Sequence, residues 1–237
     1  NTPPVPRKVP AELPFPVRLV ELPVNGPVAA GRNAAVAVAS GDVLLLSDDD
    51  VMPSPACLAE HLAVQAPAGT APGKVVIGDL RLPEDLRRGD VREPFERVAS
   101  VGRRALWINA TGANTSLTRA AFAGVGGYDV GFAAYGGEDS DLALRLLRAG
   151  ATFWRSASAW ATHVGRVLPD TSKAYLAGRA GVRVWRKHGG VSAAMLLGVH
   201  PVGLALKRAV LSSPLRSLYD EETAAYERAY ARGARDE

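Results

Sequence analysis

Apolar residues along this chain follow two alternating rhythms. A continuous run of strand length stands at Val43–Ser47, Lys74–Leu80 reads as a strand, and shorter β-type segments stand at Val17–Leu22, Thr152–Arg155 and Ala159–Val164. Helical texture fills the intervals. It covers the Ala-rich Val28–Ala39, closed by Ser40-Gly41, then Pro55 to about Ala66, Glu93–Ala105 and Arg119–Gly124. In Ser140–Ala149, Leu142, Leu146 and Leu147 share one face and Gly150 ends the helix. Leu106–Leu117 predicts one or two strands broken at Thr111-Gly112, and after Pro169 the pattern is helical to the end. Strands alternating with helices predict an α/β domain on a mostly parallel sheet over 17–168, followed by a helical region over 169–237. Six prolines within residues 1–16 predict an extended arm or linker.

Composition narrows the class. With 237 residues, 47% hydrophobic and 22% charged, the chain can bury a sizeable core, and the composition argues against disorder. The single cysteine, Cys57, excludes a disulfide framework or a Cys-based zinc site and reads as a small buried hydrophobe. No run of about 18 uninterrupted apolar residues predicts a membrane-crossing helix. No charged-then-apolar leader opens the chain, so the expected location is cytoplasmic.

The net charge of +4 is unevenly spread. Between Asp170 and Asp220 stand eight basic residues (Lys173, Arg179, Arg183, Arg186, Lys187, Lys207, Arg208 and Arg216) and no acidic one. Val191–Leu206 is apolar, but Pro201 and the glycines argue against one spanning helix. The stretch 171–216 is therefore read in two ways. It is either a basic amphipathic element lying peripherally on an anionic membrane, or a set of helices packed on the sheet with a solvated basic face. Few aromatics and no recognised motif exclude a nucleic-acid partner from the expectation.

Two clusters carry chemistry. Asp48-Asp49-Asp50 follows an apolar strand directly, and ligands in open α/β sheets bind beyond the carboxyl ends of strands. Crowded carboxylates repel, and a hard cation relieves the repulsion. In an extended segment Asp48 and Asp50 would point the same way. A solvated acidic turn is the other reading. The second cluster runs from Gly112-Ala113-Asn114-Thr115-Ser116 through Gly126-Gly127-Tyr128-Asp129 to Tyr135-Gly136-Gly137-Glu138-Asp139-Ser140-Asp141. Gly136 and Gly137 permit close backbone approach, and the acids stand at a helix N-terminus. Their other reading is as helix caps.

Gly31-Arg32-Asn33-Ala34-Ala35, Ala39-Ser40-Gly41-Asp42 and Leu44-Leu45-Leu46-Ser47-Asp48-Asp49-Asp50 resemble the central part of glycosyltransferase family 2. The resemblance covers about Val17 to Val164 and implies the nucleotide-diphospho-sugar-binding fold called GT-A. It implies a divalent metal, Mn2+ or Mg2+, at a D-x-D motif matched by Asp48 and Asp50, with Asp49 nearer the donor ribose or sugar. Arg32 matches a basic position near the nucleotide, and a solvated helix-face charge is its alternative. The second cluster resembles the acceptor half of the same family, closest to its galactosyltransferase-like and chondroitin-synthase-like variants. The match implies acceptor contacts at Asn114, Tyr135, Gly136 and Gly137. It makes Asp139 the base, with Glu138 orienting the acceptor or sharing that role.

His163, in Thr162-His163-Val164, matches a histidine that completes the metal site, and a structural histidine is its alternative. His61, His188 and His200 have no such context, and Trp107 reads as core. The implied reaction is metal-dependent, inverting transfer of a sugar from a nucleotide-diphospho-sugar to a hydroxyl of a glycan, glycolipid or secondary metabolite. The family's first strand–helix–strand unit has no counterpart before Val17. That leaves open a GT-A-fold fragment that binds carbohydrate or membrane surfaces without turnover. A nucleotidyltransferase of similar architecture is a third possibility, and Glu138-Asp139 argues against it.

Overall fold

The structure, a computed structural model, describes residues 14–65, 73–83, 100–164 and 170–237. Most of the proline-rich arm and residues 93–99 of the expected Glu93–Ala105 helix lie outside the described residues. Helix α1 (Val28–Val38) leads to strand β1 (Val43–Ser47), a tight turn and the short β2 (Val51–Pro53). Then come α2 (Cys57–Gln65), β3 (Lys74–Arg81), and the small strands β4 (Ser100–Val101) and β5 (Arg104–Ala105). A turn of 3-10 helix, Trp107–Asn109, precedes β6 (Asn114–Thr118), α3 (Arg119–Gly124), α4 (Glu138–Arg148) and β7 (Thr152–His163). The chain closes with α5 (Thr171–His188), α6 (Val191–Leu196), α7 (Pro201–Leu211) and α8 (Glu221–Asp236).

Among the described residues the strands form one sheet in the order β1-β6-β3-β7-β5-β4, with β2 also paired to β7. The α/β class stands, but the mostly parallel sheet is corrected. The β3–β7 pairing is parallel and the other described pairings are antiparallel. Connection length gives the reason. A parallel neighbour needs a long crossover, as α3 and α4 supply before β7, whereas the two residues between β4 and β5 can close only an antiparallel pair.

Residues 100–105 are thus a hairpin rather than the end of a helix. Gly102 turns it at φ +59°, and Arg104 lays its guanidinium 4.1 Å from the centre of the Trp154 ring. The two β-type segments expected near 152 and 159 merge into the single strand β7. Val17–Leu22, expected as a strand, is irregular, and its apolar side chains are exposed because no described strand pairs with it.

One core runs through the whole described molecule. Leu44, Leu46, Val75, Ile77, Leu117, Phe122, Leu142 and Phe153 pack in the same cluster as Val182, Val184, Leu197, Val199 and Ala234. The helices beyond 169 therefore complete the core of the α/β part. A buried carboxylate reinforces the join. Asp141 of α4 has no exposed surface, and it accepts from Arg145 Nη2 at 2.6 Å, Lys187 Nζ at 2.6 Å and His188 Nε2 at 2.8 Å. Burial alone would raise its pKa, but the bonds from Lys187, His188 and Arg145 hold it below the ordinary value.

A second buried network fixes α2 to the sheet. His61, fully buried, binds Asn114 Oδ1 through Nε2 and Ser116 Oγ through Nδ1, each at 2.9 Å. Gln65 donates to Ser116 Oγ at 3.1 Å, so the hydroxyl passes its own hydrogen to His61 Nδ1. Burial lowers the His61 pKa from its ordinary 6.5, with the Asn114 bond opposing. A histidine depressed in the folded state contributes stability that is complete above its unfolded pKa and is lost as pH falls toward the folded value. His61→Leu, which strands Asn114 and Ser116, should cost about 2–4 kcal/mol at neutral pH. In urea unfolding, the gap between wild type and variant should narrow as pH falls below about 6.5.

Candidate functional site

Four segments far apart in the sequence meet at Arg32. Helix α1 carries it, and its side chain is 15% exposed, so the solvated-face reading is corrected. Nη2 donates to Asp48 Oδ1 at 2.8 Å, and Nη1 reaches Asp139 Oδ1 at 3.0 Å and Glu138 Oε1 at 3.4 Å. The guanidinium carbon lies 5.3 Å from the centre of the Tyr128 ring. Gly112 closes the remaining side, where a Cβ would overlap the guanidinium itself. Burial would lower the Arg32 pKa, but the Asp139 charge and the Asp48 bond outweigh it and hold the cation firmly protonated.

The acids at α4 are placed by backbone geometry. Gly137, at φ +94°, stands at the N-cap and offers no side-chain cap, so Glu138 and Asp139 occupy the first helical turn instead of capping it. Burial raises the Asp139 pKa, opposed by Arg32, the Gly112 N–H and the Tyr128 hydroxyl. Burial and then the neighbouring Asp139 charge raise that of Glu138. Tyr128 donates its hydroxyl to Asp139 Oδ1 at 2.9 Å. Burial and the Asp139 charge keep that phenol protonated. Asn33 grips Tyr128 from both sides of its backbone, donating to its carbonyl at 2.8 Å and accepting from its N–H at 2.9 Å.

The acidic triplet is a turn and not the extended segment expected. The Val51 N–H closes it onto the Asp48 carbonyl at 3.3 Å, because the chain must reverse for β2 to pair with β7. Asp48 and Asp50 consequently take different partners, and Asp49 lies exposed on the turn. The pairing of Val51 with His163 brings His163 Nε2 to 3.4 Å from Asp50 Oδ2. Among the described residues no group of three His, Cys, Asp or Glu side chains converges closely enough to hold a metal. The donor chemistry nevertheless fits. Asp50 and His163 lie within the span of two ligands of one cation, and a mixed carboxylate–imidazole set suits Mn2+ better than Mg2+.

Tyr135, 51% exposed, stands on the loop before α4 beside Gly136 and Gly137, which take φ of +86° and +94°. Asn114 is not with them, and its acceptor contact is corrected. Strand alternation turns it with Ser116 toward α2. There its amide donates to the Asp79 and Ala159 carbonyls at 3.2 and 2.8 Å, and its oxygen accepts from His61. Tyr128 and Asn33 are site residues that motif matching did not single out. The signal for Tyr128 was an aromatic set directly after a glycine pair.

Two family models match successive parts of the chain: glycosyl transferase family 2 over residues 5–93, and the N-terminal domain of galactosyltransferase over 93–167. Two curated relatives are validoxylamine A glucosyltransferases of Streptomyces hygroscopicus, from subsp. jinggangensis (strain 5008) and subsp. limoneus. Each is 32% identical over 162 residues, covering 56% of this chain and 38% and 35% of theirs. The chain thus spans little more than a third of the length of these relatives. The crystal structure of GalNAc-T7 with UDP, GalNAc and Mn2+ matches with a TM-score of 0.52 at 15% identity, covering 86% of this chain and 41% of that one. That likeness is one of fold.

Arg32→Gln should leave three carboxylates without their cation. We expect a loss of about 3 kcal/mol at neutral pH, as for other broken buried pairs. The carboxyl resonances of Glu138 and Asp139 should titrate at higher pH than in wild type. Because those folded-state pKa values rise, the variant should recover stability as pH falls through them. NMR titration and urea unfolding at several pH values check both outcomes.

Proposed function

Since the chain carries a GT-A-type domain of glycosyltransferase family 2, we propose that it transfers a sugar from a nucleotide-diphospho-sugar to an acceptor hydroxyl. One observation carries the proposal. Arg32 joins the acidic turn after β1 to the Glu138-Asp139 pair of α4, groups some 90 residues apart that chemistry of this kind needs side by side.

Asp48, Asp50 and His163 would hold a divalent cation, for which the Mn2+ of the GalNAc-T7 structure is a precedent. That cation would neutralise the diphosphate leaving group. Asp48 keeps one oxygen for this role, since Arg32 engages only Oδ1. Asp139 takes the proton of the incoming hydroxyl. Burial has raised its pKa toward the range useful for a base, and Tyr128 and Arg32 both anchor Oδ1, which fixes the rotation of the carboxylate. Glu138, beside it, orients the acceptor. Tyr135 offers an exposed aromatic face to a sugar ring, and the Gly136-Gly137 backbone lets the acceptor approach closely. A single in-line displacement of this kind inverts the anomeric centre.

Asp139→Asn should lower transfer by about 10²–10⁴-fold while calorimetry still registers nucleotide binding. Tyr128→Phe should lower kcat, leave the donor KM unchanged, and move the acid limb of the pH profile upward, because it removes a bond that favours the Asp139 carboxylate. Titration of the chain with UDP and other nucleotides, with and without Mn2+, tests the donor. Metal-dependent binding that weakens in His163→Ala supports the site. Transfer that persists after complete removal of metal by EDTA would sink the metal assignment. A chain that binds no nucleotide would be a carbohydrate- or membrane-binding module.

A further inference from the structure

The C-terminal helices carry apolar side chains that cover nothing in the described molecule. On α6, Val191, Met195 and Leu196 are 68, 56 and 39% exposed, and on α7, Val202 and Leu206 are 69 and 64% exposed. Ala205 and Ala209 are exposed as well. The spacing 202, 205, 206, 209 sets those four on a single face of α7. The inward sides of the same helices are also apolar, with Ala193 and Ala194 of α6 and Leu197 just after it in the core and Leu204 of α7 packed against it. Both faces being apolar explains why Val191–Leu211 has a mean hydropathy of 1.4, high enough for a membrane-crossing helix of that length, while only 22% of it is buried.

Backbone geometry excludes crossing in this conformation. Gly198 takes φ +69° and His200 is extended before Pro201, so the run is two short helices with a break between them. The N–H groups of Gly198, Val199 and His200 bond back to the Met195 and Ala194 carbonyls, and Leu197 and Val199 sit in the core, so the run cannot straighten into one spanning helix without leaving it. Helices packed on the protein by one side and apolar on the other can lie in the interfacial plane.

Charge selects the occupant. No acidic residue stands between Asp170 and Asp220, so the elements that build this face supply no carboxylate of their own. Most of the basic residues in that stretch are engaged internally: Arg179 and Arg183 by Glu237, Lys187 by Asp129 and Asp141, Lys207 by Glu227, and Arg216 by Glu221. The basic-tail expectation is corrected accordingly. Arg208, exposed in the last turn of α7, has no side-chain partner among the described residues. A second copy seated on this face would bring its own Arg208 and no acidic residue on α6 or α7, so those helices would offer Arg208 no carboxylate. Anionic headgroups complement Arg208.

We propose that the α6–α7 face docks on the surface of an anionic lipid bilayer. Val191, Met195, Val202 and Leu206 enter the acyl boundary, and Arg208 meets a headgroup phosphate. Apolar insertion supplies most of the binding, and Arg208 supplies the lipid preference. This inference does not depend on the transfer reaction, and its readout is not activity.

The test is cosedimentation of the full chain with vesicles of phosphatidylcholine alone and of phosphatidylcholine mixed with phosphatidylglycerol, at low and high salt. Binding to both is expected, tighter to the mixture, with the low-salt binding largely retained at high salt. V202E/L206E should weaken it about tenfold or more, since two inserted apolar groups become charges. Both positions are exposed, so an unchanged thermal melt confirms that the variant folds. Arg208→Ala should remove the preference for the mixture and keep binding to phosphatidylcholine. Absence of vesicle binding by the folded chain overturns the proposal. So does binding that survives V202E/L206E and vanishes in salt. A lipid-free dimer in wild type that V202E/L206E dissociates would assign the face to self-association, and it too overturns the proposal.

Discussion

One guanidinium stands among three carboxylates, and that imbalance organises the site. Glu138 and Asp139, largely buried, and the more exposed Asp48 crowd around Arg32 as their shared cation. Desolvation penalises Arg32, Glu138 and Asp139, and a single positive partner cannot satisfy three negative ones. The result is visible in the two α4 acids, whose pKa values stand above those of ordinary carboxylates despite the contact with Arg32. A site left short of positive charge is one that a divalent cation and a protonated acceptor would both relieve. Gly112 is part of the same constraint, because any side chain there would displace the guanidinium that holds the turn and the helix together.

Much of this was legible in the sequence, for identifiable reasons. The Val43–Ser47 run and the amphipathic Ser140–Ala149 pattern are strong local signals, and both elements form where the periodicity put them. The paired acidic motifs named their own neighbourhood. Arg32 was flagged by its place in a motif, but its partners were not, because a buried ion pair between residues about 106 apart leaves no local pattern. Asn114 shows the opposite failure. It sits beside motif residues in sequence, and strand alternation then turns it to the other face of the sheet, where His61 waits. Residues 100–105 read as helix because their composition permits it. Pairing against β7 and the Arg104–Trp154 contact decide for a hairpin, and neither is visible within six residues.

Charge counting along the tail carried a similar lesson. Eight basic residues without an acid suggest a broad electrostatic surface, yet the carboxylates that neutralise most of them arrive from α4, α8 and the chain end. What remains on α6 and α7 is apolar exposure beside Arg208, which is a different kind of surface with a different dependence on salt.

The burial of Asp141 sets a limit on how such a chain can be inherited. Its carboxylate belongs to the helix that presents Glu138 and Asp139, while two of its three partners, Lys187 and His188, belong to the helix that opens the tail. A recombination breakpoint between 164 and 170 would look harmless in a linear map. It would nevertheless strand a desolvated anion on one side and leave half of a common core on the other. Tail and sheet must therefore travel through gene shuffling as one heritable unit, and any exchange of tails between relatives must preserve that four-residue ionic joint.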